Sequence, residues 1–250
     1  MNNEEICKLQ KTSSDFYKKQ HFREALDSYS ELIKQFSSNK EKEKSTEFCK
    51  AIHRQGVCHF LLSDYDKAME CFKRCDEFYN KNNLSCEPLL GRNMAYMSYC
   101  CMKNGDLDCG FEKASKAKEI FEKNKIMEDD ENAVLFSALG CFHFKKGEND
   151  NAKRELERAM YFIKKHQHKK NLVNLFDLFY LAQIYLKENR IEDAINKFTE
   201  SHNLSEELSF IDKDYHITCL ENISNLYYKL ERDELAQKFE KKLEEYKQKQ

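Results

Sequence analysis

Hydrophobic and polar residues alternate along the whole chain with the spacing of amphipathic helices. In the unit around Ala182, for example, Leu178 lies four positions before this small residue and Tyr185 lies three positions after it. Offsets of three and four residues place side chains on one stripe of a helix. The same pattern recurs along the chain, so it predicts a succession of helices that each bury one face.

Small residues mark where these helices meet. Two small residues in each unit allow two helices to approach closely, so each unit is predicted to be a helical hairpin. The first column of small residues, which lies in the second helix of each unit, recurs at spacings of 43, 42, 42, 42 and 42 and consists of Ala25, Ala68, Gly110, Ala152, Ala194 and Ala236. The other column lies twelve positions upstream and consists of Ser13, Gly56, Ser98, Gly140, Ala182 and Ser224.

The turn of each hairpin is expected between the two columns. It is clearest at Gly105 and Gly147, and the other turns are predicted at Gln20-His21, Ser63-Asp64, Asn189-Arg190 and Glu231-Arg232. A glycine at the end of a helix adopts the left-handed conformation without steric cost.

The pattern therefore predicts an all-α protein, a solenoid of six helical hairpins that forms a single domain over residues 1–250. The last repeat has Asp233 and Glu240 where apolar residues are expected, as the polar end of a solenoid requires. The predicted repeats are approximately 6–48, 49–90, 91–132, 133–174, 175–216 and 217–250.

The composition excludes several other classes of protein. Among 250 residues there are six Gly, one Pro and no Trp. An all-β fold with many tight turns needs more Gly and Pro than this. Enzymes built on Gly-rich phosphate loops or nucleophile elbows are disfavoured for the same reason, and no catalytic motif is found. We therefore predict a protein that is not an enzyme and has no cofactor.

Charge and hydropathy indicate a location without naming a partner. The 42 Lys and Arg residues nearly balance the 44 Asp and Glu residues, so the net charge of −2 gives no overall attraction to nucleic acid or membranes. No apolar stretch approaches the roughly 20 residues of a membrane span, and Met1–Glu5 is too polar for a signal peptide. We predict a cytoplasmic protein, with a cytoskeletal or ciliary location as a further alternative.

The order of residues in each unit resembles the tetratricopeptide repeat. The unit that carries the resemblance best contains Phe136, Leu139-Gly140, His143, Gly147, Ala152, Leu156 and Ala159. The absent Trp is replaced by other apolar residues, and the period is about eight residues longer than the usual 34. In length the units resemble those of kinesin light chains and the LGN/Pins polarity adaptors. The resemblance implies a right-handed α-α superhelix whose first helices line a concave groove that binds other proteins.

We predict the partner-binding residues from the groove positions of that family. None of them is acidic. Lys103, Lys145 and Lys187 have an alternative explanation, because they lie at first-helix C-termini, where a cation stabilises the helix whether or not a ligand binds. The predicted residues are Lys11, Lys50, His53, Arg54, Arg92, Tyr96, Tyr99, Lys103, Lys145, Phe176, Phe179, Tyr180, Lys187, Asn222 and Asn225.

The leading hypothesis is a non-catalytic adaptor that holds a segment of another protein in this groove. An acidic part of the segment would contact Lys50, Arg54 and Arg92, and its apolar anchors would contact aromatic residues such as Tyr99 and Phe176. The alternatives are a regulatory receptor that responds to a peptide or small ligand and, against the acidic overall balance, an RNA-binding helical repeat. Membrane insertion and a small-molecule substrate are not expected.

Metal binding is the other chemistry that the sequence raises. The eleven Cys residues include no C-x2-C pair. We therefore expect the cysteines to be reduced and to pack as small apolar residues. His166 and His168 are flanked by lysines that would repel a cation, and Asp212, Asp214 and His216 are interpreted as a helix N-cap rather than a cation site. No metal site is predicted.

Overall fold

A computed structural model of the chain describes residues 3–38, 45–82, 87–127, 132–165, 172–208 and 213–248. Within these residues there are twelve α-helices and no strand, which confirms the all-α prediction. The helices are α1 (Asn3–Lys18), α2 (Phe22–Ser37), α3 (Thr46–Leu61), α4 (Tyr65–Lys81), α5 (Glu87–Lys103), α6 (Leu107–Lys123), α7 (Ala133–Lys145), α8 (Asn149–Lys165), α9 (Leu172–Lys187), α10 (Ile191–Leu208), α11 (Lys213–Lys229) and α12 (Asp233–Gln248).

Consecutive helices form antiparallel hairpins. Helix α1 packs on α2, α3 on α4, α5 on α6, α9 on α10, and α11 on α12. The second helix of a hairpin also packs on the first helix of the next, as α2 does on α3 and α10 does on α11. Each odd-numbered helix is therefore the first helix of a hairpin, and each even-numbered helix is the second.

The small residues of both columns lie where the two helices of a hairpin touch. In the second helices, the five alanines of the column are completely buried, and Gly110 is buried as well. A Cβ atom at Gly56 would lie 2.7 Å from the Phe72 ring, and one at Gly140 would lie 2.6 Å from Leu156 Cγ. Larger side chains at these positions would push the paired helices apart.

Every hairpin turn contains one residue with a positive φ. Gly105 and Gly147 have φ values of 83° and 80°, as predicted for glycines that end a helix. In the other four turns the position is occupied by a residue with a Cβ atom, for which this conformation is unfavourable. These four residues are Gln20, Ser63, Asn189 and Glu231, with φ between 54° and 61°, and they lie in the predicted turns.

The chain divides into two compact units, residues Met1–Leu135 and Phe136–Gln250, which we call unit 1 and unit 2. Unit 1 contains α1 to α6, and unit 2 contains most of α7 and all of α8 to α12. The organisation of residues 1–250 as a single domain stays a prediction.

The last helix carries the polar surface expected of a terminal repeat. Ala236 is the only buried residue of α12, while Asp233 is exposed and Glu240 is half-buried. Glu240 accepts a hydrogen bond of 2.8 Å from the Tyr228 hydroxyl. None of the helices in the described ranges is both long and apolar enough to cross a membrane.

Candidate functional site

All fifteen predicted partner-binding residues lie on first helices, but they differ in how much of each side chain is accessible. The exposed ones are Lys11, Lys50, Lys145, Lys187 and Asn225. The half-buried ones are Arg54, Arg92, Tyr96, Lys103, Phe179 and Asn222. The buried ones are His53, Tyr99, Phe176 and Tyr180.

Four of the predicted residues have little or no accessible surface. Tyr99 and Phe176 expose 0% of their surface, and His53 and Tyr180 expose 3% and 7%. Tyr99 packs edge-on against Phe60 with 5.3 Å between ring centroids. Successive first helices are in contact, as α3 is with α5, so these positions lie close to a neighbouring helix. All four therefore have packing contacts in the free chain, and a partner contact at these positions stays a prediction.

A chain of hydrogen bonds connects α3, α4 and α5 in unit 1. The Asn93 side-chain oxygen lies 2.7 Å from His53 Nδ1, and its amide nitrogen donates to Asp76 Oδ1 at 2.6 Å. Since the Asn93 oxygen can only accept, His53 Nδ1 is the donor. Burial raises the pKa of Asp76 to about 6, although the Asn93 hydrogen bond and the charge of Lys113 act in the opposite direction. These hydrogen bonds therefore hold the first helices α3 and α5 in position against each other.

Two arginines lie beside this chain of hydrogen bonds. Arg54 follows His53 on α3, and Arg92 precedes Asn93 on α5. The Arg54 guanidinium lies over the Tyr17 ring of α1, 4.9 Å from its centroid, in a cation–π contact. We call Lys11, Lys50, Arg54 and Arg92 the basic surface of unit 1, and they lie on α1, α3 and α5.

The two lysines of the basic surface are exposed, whereas its two arginines are half-buried. Lys50 pairs with Glu47 at 2.7 Å, and both side chains are about half exposed, at 51% and 52%. Exposed pairs of this kind contribute little to stability and are easily exchanged for another partner.

Tyr96 is the predicted aromatic residue of unit 1 that keeps an accessible surface. It stacks on Phe72 with 5.3 Å between centroids and an interplanar angle of 19°. It also contacts the edge of Phe60 at 5.1 Å. The ring is held by the core of the hairpin but is half-buried, so it can still contact an apolar group of a partner.

The aromatic residues of unit 2 form an internal cluster. Phe176 and Phe179 of α9 pack edge-on against Tyr215 of α11, with centroid distances of 4.5 and 4.6 Å. The Tyr215 hydroxyl donates a hydrogen bond to the Tyr180 hydroxyl at 3.3 Å. These rings hold α9 against α11, and only Phe179 among the three predicted aromatics of α9 keeps part of its surface accessible.

Two aromatic partners of predicted basic residues were missed in the sequence. They are Tyr17, which lies under Arg54, and Phe144, whose centroid is 4.0 Å from Lys187 Nζ. Each follows the small residue of its first helix, Ser13 or Gly140, by four positions. An aromatic residue at that offset was the signal that could have identified them.

The cysteines behave as packing residues in the described part of the chain. Seven of the ten described there are buried, and Cys49 Sγ and Cys75 Sγ lie 2.9 Å apart as free thiols. Burial raises the pKa of Cys58 to about 12, so its thiol stays protonated at neutral pH. Cys86, His166, His168 and Asp212, together with the side chain of Asp214, lie outside the described residues.

Comparison with known proteins supports the resemblance found in the sequence. A family model of the tetratricopeptide repeat matches residues 50–82, which correspond to the hairpin of α3 and α4. A search of curated protein sequences finds no match.

Solved structures share the fold over most of the chain. BtubC (BKLC) from P. vanneervenii matches 96% of this chain and 91% of its own, with a TM-score of 0.61 and 12% identity. The Cut9-Hcn1 hetero-tetramer of the APC/C matches 97% of this chain and 44% of its own, with a TM-score of 0.64 and 16% identity. A putative kinesin light chain from Podosopora anserina, with nearly identical TPR-like repeats, matches 80% and 94% at a TM-score of 0.51 and 14% identity. At these identities the likeness shows the fold alone.

Proposed function

Because this chain resembles tetratricopeptide repeat proteins in both sequence and fold, we propose that it is a non-catalytic adaptor that binds an acidic segment of a partner protein. The segment would lie along the first helices of unit 1 and contact the basic surface there. The finer features of the proposal, namely the acidic segment and the surface that receives it, rest on the side chains of α1, α3 and α5.

The placement of Arg54 and Arg92 is the observation that carries the proposal. Both belong to first helices that are in contact, and their neighbours His53 and Asn93 are hydrogen-bonded to each other. Arg54 is further held by the Tyr17 ring. A guanidinium that is already oriented loses less side-chain entropy when it binds a carboxylate through two parallel hydrogen bonds. Two arginines on adjacent helices, of which Arg54 is already oriented, therefore favour an extended acidic ligand.

Tyr96 provides the apolar part of the proposed site. It is on the same helix as Arg92, four positions further along, which places both on one side of α5. An apolar side chain of the partner would contact the accessible part of this ring. With Tyr99 buried, Tyr96 is the aromatic anchor of the proposed surface in unit 1.

The test is a titration of a fluorescein-labelled peptide rich in Asp and Glu that contains one Phe. We expect the double variant Arg54→Glu/Arg92→Glu to bind at least about tenfold more weakly than the wild type, because charge-assisted hydrogen bonds contribute about 1.5 to 3 kcal/mol each. A matched control is Lys73→Glu/Lys238→Glu, which changes the net charge equally at two exposed second-helix residues. The control should bind within about twofold of the wild type. Equal affinities of the double variant and the wild type would contradict the proposal.

The RNA-binding alternative is distinguished by the same assay with a single-stranded oligonucleotide at two salt concentrations. Binding dominated by phosphate contacts weakens steeply with salt. We expect little affinity even at low salt, because the basic residues of the chain are balanced by acidic ones. Strong, salt-sensitive binding that the Arg54→Glu/Arg92→Glu variant loses would favour RNA over an acidic protein segment. The receptor alternative stays a prediction.

A further inference from the structure

Two histidines and a glutamate converge between α10 and α11 in unit 2. One ligand atom from each of His202, Glu206 and His216 can be chosen so that all three lie within 4.8 Å of one another. His202 and Glu206 are one helical turn apart on α10, with 3.8 Å between His202 Nε2 and Glu206 Oε2. His216 comes from α11, and its ring centroid lies 4.5 Å from that of His202.

His202 is buried without the hydrogen bonds that a buried imidazole requires. Its side chain is 1% exposed, and neither ring nitrogen has a hydrogen-bond partner among the described residues. Buried polar atoms are nearly always satisfied in native proteins, and an exception calls for a ligand, water or ion. The nitrogens of His202 are therefore candidate ligand atoms for a water, an ion or another group.

The hydrogen bonds of Ser205 determine the tautomer of His216. The Ser205 hydroxyl donates its only proton to the His202 carbonyl oxygen at 2.6 Å. It must therefore accept from His216 Nδ1, which lies 2.7 Å away. The proton of His216 is thus on Nδ1, and the lone pair of Nε2 remains for another ligand. Metal-binding histidines are commonly oriented in this way by a hydrogen bond from the other ring nitrogen.

The other hairpin junctions carry no such set of side chains at the equivalent positions. Where α10 and α11 bring His202 and His216 together, the equivalent positions of the other junctions are occupied by Ile33 and Phe48, Asp76 and Leu90, Lys118 and Asn132, and Met160 and Asn174. Two imidazoles are thus not needed to pack a junction of this fold. Their presence at one junction favours a ligand-binding role there.

We propose that His202, Glu206 and His216 form a zinc-binding site that joins α10 to α11. Imidazole nitrogens and a carboxylate oxygen are preferred ligands of Zn²⁺, and three such ligands leave the fourth tetrahedral position for water. Ca²⁺ and Mg²⁺ prefer sites made of oxygen atoms, so they would bind here poorly. Ligands at about 2.0 to 2.2 Å from zinc lie roughly 3.3 Å from each other, and the exposed Glu206 side chain can close the present 3.8 Å by rotation.

The two imidazoles are packed among groups of both charges. Burial lowers the pKa of His202 to about 4, and the nearby His216 acts in the same direction. Burial also lowers the pKa of His216. The His216 ring stacks on the Tyr246 ring of α12, with 3.8 Å between the ring centroids. The ammonium of Lys242 lowers both pKa values, whereas the Glu206 carboxylate raises them. Lys242 would repel a bound cation, so it is expected to weaken the site.

The test is a competition of the reduced, chelator-treated full chain with a chromophoric zinc chelator at pH 7.5. The wild type should bind one equivalent of Zn²⁺ that His202→Leu does not bind. Glu206→Gln changes an exposed side chain without disturbing the fold and should weaken binding at least about tenfold. Lys242→Gln should strengthen it by about two- to tenfold, because a like charge is removed.

His143→Gln is the matched control, because His143 Nδ1 also lies close to a carboxylate oxygen, 2.6 Å from Glu148 Oε2, outside the proposed site. It should bind zinc as the wild type does. Co²⁺ serves as the spectroscopic probe and should give the visible absorption of a four-coordinate nitrogen and oxygen site. The proposal is overturned if the wild type binds no zinc, if Glu206→Gln keeps the wild-type affinity, or if Co²⁺ shows the sulfur charge-transfer band of cysteine ligation.

Discussion

The same two positions of the repeat link successive first helices in both units, but with different chemistry. In unit 1 the pair is His53 and Asn93, between α3 and α5, and in unit 2 it is Ser137 and Asp177, between α7 and α9. The two residues of each pair are 40 positions apart. Asn93 also donates to Asp76, so both ends of its amide are used. Asp177 accepts 2.5 Å from Ser137 with one oxygen, while its Oδ2 has no hydrogen-bond partner in the described part of the chain.

The difference shows that the repeat fixes where a polar link can form but not whether its groups are satisfied. Asp76 is only partly buried and has a pKa of about 6, raised by burial and lowered by Asn93. Asp177 is completely buried, and burial raises its pKa well above the ordinary value despite the Ser137 hydrogen bond. Burial of either carboxylate therefore opposes folding at neutral pH, but Asp76 does so less, because the Asn93 hydrogen bond offsets part of its cost.

The largest effect is expected when the link of unit 1 is broken. Asn93→Leu leaves His53 Nδ1 and the Asp76 carboxylate without the hydrogen bonds that Asn93 provides. Loss of a partner costs about 1 to 3 kcal/mol for a buried group such as His53 and less for the half-buried Asp76, so we expect the free energy of unfolding to fall by about 3 kcal/mol. Urea denaturation at pH 7 measures this. Asn225→Leu, at an exposed position of α11, is the control and should change stability by less than about 0.5 kcal/mol.

A smaller effect of opposite sign is expected for Asp177→Asn in unit 2. Because the pKa of Asp177 is raised, the folded protein binds more protons than the unfolded chain between the ordinary Asp pKa of about 3.9 and the raised value. Stability is therefore lost as the pH rises through this window. The Asn variant removes that loss, so it should be more stable than the wild type by about 1 to 3 kcal/mol at pH 7.

The gain from Asp177→Asn should shrink as the pH falls towards 4 and disappear below about pH 3, where Asp177 is protonated in both states. Urea denaturation at a series of pH values tests this, with Asp150→Asn at an exposed position of α8 as the control. A variant that is less stable than the wild type at every pH would show that the carboxyl group contributes more through its contacts than it loses through burial.

The smallest effects are expected at a second pair of equivalent positions, next to the hairpin turns. His59 Nδ1 lies 3.4 Å from Asp64 Oδ2 in unit 1, and His143 Nδ1 lies 2.6 Å from Glu148 Oε2 in unit 2. The side chains of the second pair are more exposed, at 22% and 44% against 12% and 33%. His143→Gln should shift the thermal midpoint by less than about 2 °C, and His59→Gln by about 2 to 4 °C. Calorimetry of both variants tests the order, which would be reversed if the shorter distance decided the effect.

The hairpins could be predicted from the sequence because their signals are local. Ala25 and Ala68 are completely buried as their spacing predicts, and Gly105 and Gly147 take the left-handed conformation in the turns. Both depend on residues within one hairpin, where helix periodicity determines which side chains face each other.

The site could be predicted only in part. The placement of Arg54 and Arg92 on first helices follows from the repeat, but the burial of Tyr99 and Phe176 does not. Their burial depends on the packing of one first helix on another, some 40 residues away in the chain. The groove positions of the family are defined for repeats of 34 residues, and they indicate where a side chain lies on its own helix. They do not give the distance to the next helix when the repeat is longer.

The sequence by itself determined that this protein is a series of helical hairpins, which residues form their turns, and which small residues lie between their helices. Only the tertiary structure decided which first-helix side chains remain accessible, that Asn93 satisfies two groups while Asp177 satisfies one, and that His202 and His216 meet. The physical reason is that propensity and periodicity act over a few residues, whereas burial and hydrogen-bond satisfaction depend on helices that are distant in the chain.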